Sequence, residues 1–472
     1  MAVRWGRLLR GDVLPRVAFV LALMAAAFGW GVAAMRWKIF PHGVLVRALS
    51  AAEALGKLEQ ERLPPNFLRW EPEAAGPGPV RAFAPPPADD LVLVTGGFDY
   101  RRDLCPAHGC MAWIMDRAGR VLHAWEADPA ALFRAADFAG FSGFPGPRNV
   151  YVQSATLDAR DGGLIVTFQG RNVFPYHVGI ARFAWDGRLE WLRINRSHHW
   201  ATVGPDGTIY VPSAEAEPVG PTLAGLREGS RCRLPAIFAE GVRIMAPDGS
   251  ELRTFPMHGV TRQSAGRALS YTVRDDCDPH HVNGLVPLTA AAAARMPGTA
   301  AGDLLVSLRS PSALIVLGAA DGTLRRVLYG PWVAQHSPVI LPDGTLLLFD
   351  NLGGTDPEGG SRVLRVDPAT GAATQIFPRP GSPEARDFCS EARGTVRASA
   401  DGRRILVAES LGGRLFEAET ATGRILWQYE EIGDLAPVLG EAGPRYARMD
   451  TLGAEYVSRA DAERLMAAAG GG

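Results

Sequence analysis

Lysine is nearly missing from this chain: only Lys38 and Lys57 occur among 472 residues, both near the N-terminus. That excludes Schiff-base catalysis and a phosphate-cradling Walker lysine from the rest of the molecule. Net charge is also missing, at -1, and no dense basic stripe with interleaved aromatics runs through the sequence. Nucleic acid is therefore not an expected partner. Cysteine is sparse and odd in number, with Cys105, Cys110, Cys232, Cys277 and Cys389. At least one thiol must stay outside any intrachain pair, while Cys105 and Cys110 are close enough for a local bridge. The stretch "CPAHGC" has no second ligand pair at a comparable spacing, which argues against zinc there. Helical segments between the strand-like runs are lacking too, so a doubly wound α/β sheet is excluded.

Turn formers are plentiful, with 54 glycines and 36 prolines, and 47% hydrophobic residues indicate a packed core. The N-terminus carries an uncharged run from Val17 to Met35, preceded by Arg4, Arg7, Arg10 and Arg16 and followed by Arg36 and Lys38. Such a run spans nearly the roughly 30 Å hydrocarbon core as a helix, and the arginines ahead of it keep the N-terminus in the cytoplasm. Residues 1–38 are read as an inner-membrane anchor with the remainder on the periplasmic side. A cleaved signal segment is the competing reading, with Ala25-Ala26-Ala27 offering small residues.

Residues 39–90 hold a stalk helix over Val44–Leu63, stopped by Pro64-Pro65, and then a Pro/Gly-rich linker. The stalk could pair with a second copy, giving a homodimer, or lie on the main domain. From Leu91 to residue 433 a two-part phrase recurs. Apolar strands follow Gly-containing turns ("DGGLIVTF", "PDGTIYVPS", "GDLLVSLRS", "PDGTLLLFD", "DGRRILVAE"), and six hairpins turn at Gly119, Gly187, Gly249, Gly322, Gly371 and Gly423. This predicts an all-β, six-bladed β-propeller with an N-terminal transmembrane helix and a short stalk helix. Residues 434–472 are read as an extension, with a short helix, outside the repeat.

Repeat register aligns three histidines. His199 and His336 each stand seven residues before an Asp-Gly turn, and His281 opens its strand in the analogous place. Ser154 and Gly394 take that place in the second and sixth repeats. A lone strand-head histidine is ordinarily a hydrogen-bonded structural residue. Three at matched positions point to one rim of a central channel. No acidic residue stands at the matching positions, whereas Arg309, Arg362 and Arg393 follow nearby, which favours an oxyanion over a metal ion. His198 and His280 are expected to point away by strand alternation.

The stretches "HVNGLVPL", "GDLLVSLRS", "AQHSPVILPDGTLLLFDN" and "SRVLRVDPATG", in this order, resemble the PAPS-independent arylsulfate sulfotransferases and their arylsulfotransferase-like relatives. The resemblance implies a sulfuryl transfer from a phenolic sulfate ester to a phenolic acceptor through a sulfohistidine, with no cofactor and no metal. His336 is then the nucleophile, with His199, His281 and Arg309 around the sulfuryl oxygens. Asn283, Asn351, Arg393 and Arg362 are candidate substrate-binding residues. Two other readings stay open: a non-catalytic propeller that binds anions or an envelope partner, and a lyase or hydrolase using the same histidines as acid and base.

Overall fold

The computed structural model describes residues 13–37, 39–40, 63–64 and 66–470, the last range without 77, 86–89, 99, 144–145, 219–235, 262, 273–276, 355–359 and 442–443. It divides into two units, Met1–Pro64 and Pro65–Gly472. In the first, Val13–Trp37 is a 25-residue helix whose segment Pro15–Ala34 is long and apolar enough to cross a membrane. A signal sequence has the same properties. The expected stalk helix falls almost wholly outside the described residues.

The second unit is mostly β. Six antiparallel sheets of four or more strands are present among the described residues. The third to fifth use consecutive strands: Thr202–Val203 to Glu251–Pro256, Val282–Pro287 to Leu324–Leu328, and His336–Ile340 to Ala373–Phe377; the second runs from Val150–Asp158 to Leu189–Arg193 and skips Val173–Phe174, which pairs with Ser142–Gly143. The sixth runs from Thr395–Ala398 to Ile425–Glu430. The first joins Asp90–Thr95, Cys110–Met115 and Val121–Glu126 to a strand from the far end of the chain, Gly453–Ser458.

All six expected hairpins form, and their turn glycines have φ between 66° and 84°, a left-handed conformation that glycine adopts without steric cost. At Gly249 a β-carbon would also meet the Trp191 ring at 2.6 Å.

The apolar runs are nearly continuous rather than alternating because each sheet is covered on both faces. In the strand Asp90–Thr95, Leu91 and Leu93 pack with Val152, Val166 and Phe168 of the second sheet. Val92 and Val94 pack with Leu406, Leu415 and Trp427 of the sixth. Further apolar layers join the second sheet to the third, the third to the fourth, the fourth to the fifth and the fifth to the sixth. The first strands of successive sheets touch in the same order, and Thr395–Ala398 returns to Gly453–Ser458. The arrangement is propeller-like.

Two sequence expectations need correction. The Pro/Gly-rich stretch is not merely a linker: Val80–Ala82 pairs with Trp427–Tyr429 on the outer edge of the sixth sheet, and Phe67–Trp70 pairs with Tyr446–Met449. An edge strand offers unpaired N–H and C=O groups that even a short extended segment can satisfy. Nor does the whole of 434–472 lie outside the repeat, since Gly453–Ser458 completes the first sheet. The terminal helix does form, over Arg459–Gly470, and buries Ala462 and Leu465 against Trp185 and its neighbours.

Candidate functional site

The first strands of the third, fourth and fifth sheets begin beside His199, His281 and His336. One nitrogen of each imidazole lies within 4.8 Å of the others. Ring centroids are 5.4 Å apart for His199 and His281, 6.0 Å for His199 and His336, and 6.4 Å for His281 and His336. His199 and His336 are buried, while His281 keeps 20% of its side chain exposed.

The backbone that aims these rings is strained, with φ of 53° at His199, 46° at His281, and 57° and 52° at Ala334 and Ser337 around His336. Residues with a β-carbon reach that region at a cost of about 1–3 kcal/mol each, and only where the surroundings hold them. The heads at His199 and His336 are held by a neighbouring sheet, and that at His281 by the next strand of its own sheet. Ser154 and Thr167 each donate a hydroxyl hydrogen bond to the His199 carbonyl at 2.7 Å, and Gln153 Oε1 accepts from its amide at 3.0 Å. The His281 carbonyl accepts from the Arg309 amide at 3.0 Å. Asn283 donates to the Gln335 carbonyl at 2.7 Å, and the Gln335 amide donates to Ser307, Leu308 and Ala313.

His336 has a defined tautomer. Its Nδ1 lies 2.7 Å from Asn351 Oδ1 and 3.2 Å from the Ala334 carbonyl. The Asn351 amide nitrogen is already committed to the carbonyls of Ser390 and Arg393, both at 2.7 Å. Both neighbours of Nδ1 are therefore acceptors, so Nδ1 carries the proton and Nε2 keeps its lone pair. Burial, then the positive charge of Arg309, then His281, push the His336 pKa down to about 3, leaving a neutral imidazole at pH 7.

At His281, Nδ1 donates to Asp278 Oδ2 at 2.6 Å, and the Tyr176 hydroxyl donates to the same oxygen at 3.3 Å. Burial alone would raise the Asp278 pKa, but the pull of His281 and its hydrogen bond hold it below the ordinary carboxylate range. With both Nδ1 atoms engaged, Nε2 of His281 and Nε2 of His336 are the nitrogens open to a substrate. Arg309 donates to the Glu391 carbonyl at 3.4 Å while its charge acts on His336.

The remaining expected residues divide. Asn351 touches a histidine directly. Asn283 reaches the chain just before His336 rather than any ring, and also lines a cavity of about 460 Å³ with Trp200, Ser337 and Arg397. That cavity follows the strands away from the histidines, which are not in its wall. Arg393 is paired with Asp450. Arg362 is held by buried Asp350 at 2.6 Å and by the Pro331 carbonyl, so its guanidinium is committed to the fifth sheet, and among the described residues none of its contacts is a histidine. An arginine next to a buried carboxylate is drawn there first.

Sequence reasoning missed the second layer. Asp278 and Glu240 stand outside the repeat register, which is why no acidic residue was expected. Glu240 is buried, and burial first, then the charge of Asp278, raise its pKa well above the ordinary range. His198 does not point away: its Nδ1 lies 2.5 Å from Nδ1 of His199, because the left-handed turn at His199 breaks strand alternation. His199 is also held well below its ordinary pKa, by burial first and then by the surrounding imidazoles, so the neutral ring is favoured. Among the described residues two sets could hold a metal ion, His199 with His281 and His336, and His177 with His198 and Glu240. Arg309 disfavours a cation at the first.

Residues 249–431 match the family model described as Arylsulfotransferase (ASST). None of the curated proteins matches it in sequence. Among solved structures it is similar to a protein of unknown function from Bacteroides caccae, with 12% identity over 72% of this chain and 93% of that one and a TM-score of 0.42. It is also similar to a streptogramin B lyase structure, with 12% identity over 75% and 87% and a TM-score of 0.38. A third, the Dos1 propeller, has 10% identity over 74% of each chain and a TM-score of 0.37.

Proposed function

We propose that this chain is an aryl-sulfate sulfotransferase that passes a sulfuryl group through His336. The reading rests chiefly on the fixed tautomer of His336, a neutral imidazole whose lone pair is held at Nε2 beside two further imidazoles and Arg309.

In the first step His336 Nε2 attacks the sulfur of a phenolic sulfate ester. An N–S bond forms, the S–O(aryl) bond breaks, and the leaving phenolate takes a proton from Nε2 of His281, which Asp278 orients and compensates. In the second step a phenolic acceptor gives its proton to His281 and its oxygen attacks sulfur, and the N–S bond breaks to return neutral His336. Arg309, with the neutral His199 beside it, meets charge on the sulfuryl oxygens, which positioned donors do by alignment and electrostatics. His281 gives up a proton in the first step and regains one from the acceptor in the second, so an aryl sulfate donor and a phenolic acceptor suffice.

The same reading makes the six sheets the blades of a six-bladed propeller, supported by apolar layers that run from each sheet to the next and back to the first. The N-terminal helix is an inner-membrane anchor with the propeller on the periplasmic side. The Cys105–Cys110 disulfide supports that side, since such bonds persist in oxidising compartments.

The test is release of p-nitrophenolate from p-nitrophenyl sulfate in the presence of a phenol. Turnover by the native chain and its loss in His336→Ala are expected. Unchanged turnover in that variant would remove His336 from the chemistry, and donor binding without turnover would favour a non-catalytic anion site.

A further inference from the structure

His177, His198 and Glu240 form a second cluster that the sulfotransfer scheme does not use. They are 0%, 0% and 1% exposed. Neither nitrogen of His177 has a hydrogen-bond partner among the described residues, so this imidazole has given up water without replacement. Glu240 receives the Val282 amide at 3.2 Å. His198 Nε2 lies 3.2 Å from Glu240 Oε2, and His177 Nε2 lies 3.9 Å from Glu240 Oε1. The two imidazoles stack with centroids 3.8 Å apart. The Asp278 side chain hydrogen-bonds Glu240.

Two histidines and a glutamate, with one donor atom of each within 4.8 Å of the others, are a donor set for a zinc-type cation once the stacked rings turn toward a shared point. Metal–ligand distances of about 2.0–2.2 Å place tetrahedral donors about 3.3–3.6 Å apart. The observed nitrogen-to-oxygen separations bracket that range. We propose that His177, His198 and Glu240 bind one divalent cation of the zinc type. It would give His177 a partner and compensate a buried carboxylate. It would also clasp the second sheet, through the strand His177–Phe183, to the third, through Ala236–Met245.

Binding has a consequence at the first cluster. A metal on His198 Nε2 requires the proton on Nδ1, which then donates to His199 Nδ1 and leaves the His199 proton on Nε2, as a donor to a bound oxyanion. Only this last consequence rests on the sulfotransfer reading.

Metal content tests the site without reference to turnover. The full-length protein, purified in detergent without a histidine tag, is stripped with chelator, titrated with Zn²⁺ and measured by inductively coupled plasma mass spectrometry. One equivalent is expected in the native chain and in His336→Ala, and none in Glu240→Gln. An anomalous difference peak at the zinc edge among His177, His198 and Glu240 makes the assignment even where a variant fails to fold. A folded native chain that binds no zinc overturns the proposal. So does zinc lost from His336→Ala, or an anomalous peak among His199, His281 and His336.

Discussion

At the scale of the residue, the behaviour of His336 depends on Asn351. A carboxylate facing Nδ1 would favour the charged imidazole. Asn351→Asp is therefore expected to lower turnover and to bring an acid limb up from near pH 3 toward the ordinary value of about 6.5. Profiles of kcat/KM between about pH 4 and 8 check this. An acid limb unmoved from the native one would mean that Asn351 does not govern the ring.

Burial of His336 also makes a stability prediction. In the unfolded chain it binds a proton below about pH 6.5, whereas the folded pKa is about 3, so its contribution to stability falls as pH drops through that window. Linkage gives a loss of about 2 kcal/mol between pH 7 and pH 5 for this one group. His336→Gln lacks that penalty. Denaturant titration at the two pH values should thus show the native chain losing about that much relative to the variant. Glu431, pushed up to about 8 mainly by burial, has the opposite sign and loses stability as pH rises from about 4.5 toward 8. The comparison with His336→Gln separates the two.

At the scale of the element, the strand Gly453–Ser458 completes the first sheet. Without it, the Asp90–Thr95 strand exposes a row of backbone donors and acceptors beside a buried core. A chain ending at Leu452 is expected to be insoluble. One ending at Ser458 is expected to fold with a lower Tm, having lost the burial of Ala462 and Leu465, worth roughly 2–4 kcal/mol for side chains of this size. Expression trials and thermal unfolding distinguish them, and equal stability of both would contradict the role given to this strand. This strand also shows where the sequence became hard to read. The six hairpins were legible because a Gly-containing turn between apolar runs is a local signal. "GAEYVS" carries no turn, and its partner lies more than three hundred residues away. The clustering of His199, His281 and His336 was legible through repeat register. Asp278, Glu240 and His177 were not, because they enter the cluster from a loop and from third strands, where no register links them to the rim. His198 was misread because alternation holds only while φ stays in the β region.

At the scale of the whole molecule, the account comes down to stretches of chain from three sheets placing His199, His281 and His336 around one small anion beside Arg309. Such a site should hold a reaction intermediate long enough to trap. After incubation with p-nitrophenyl sulfate without acceptor, and digestion at alkaline pH, peptide mass spectrometry should find an adduct of about 80 Da, the mass of a sulfuryl group on a covalent nucleophile. The account predicts that adduct on His336, stable to base, lost in acid and discharged by added phenol. A donor cleaved at full rate with the label on another residue, or with no label at all, would contradict it.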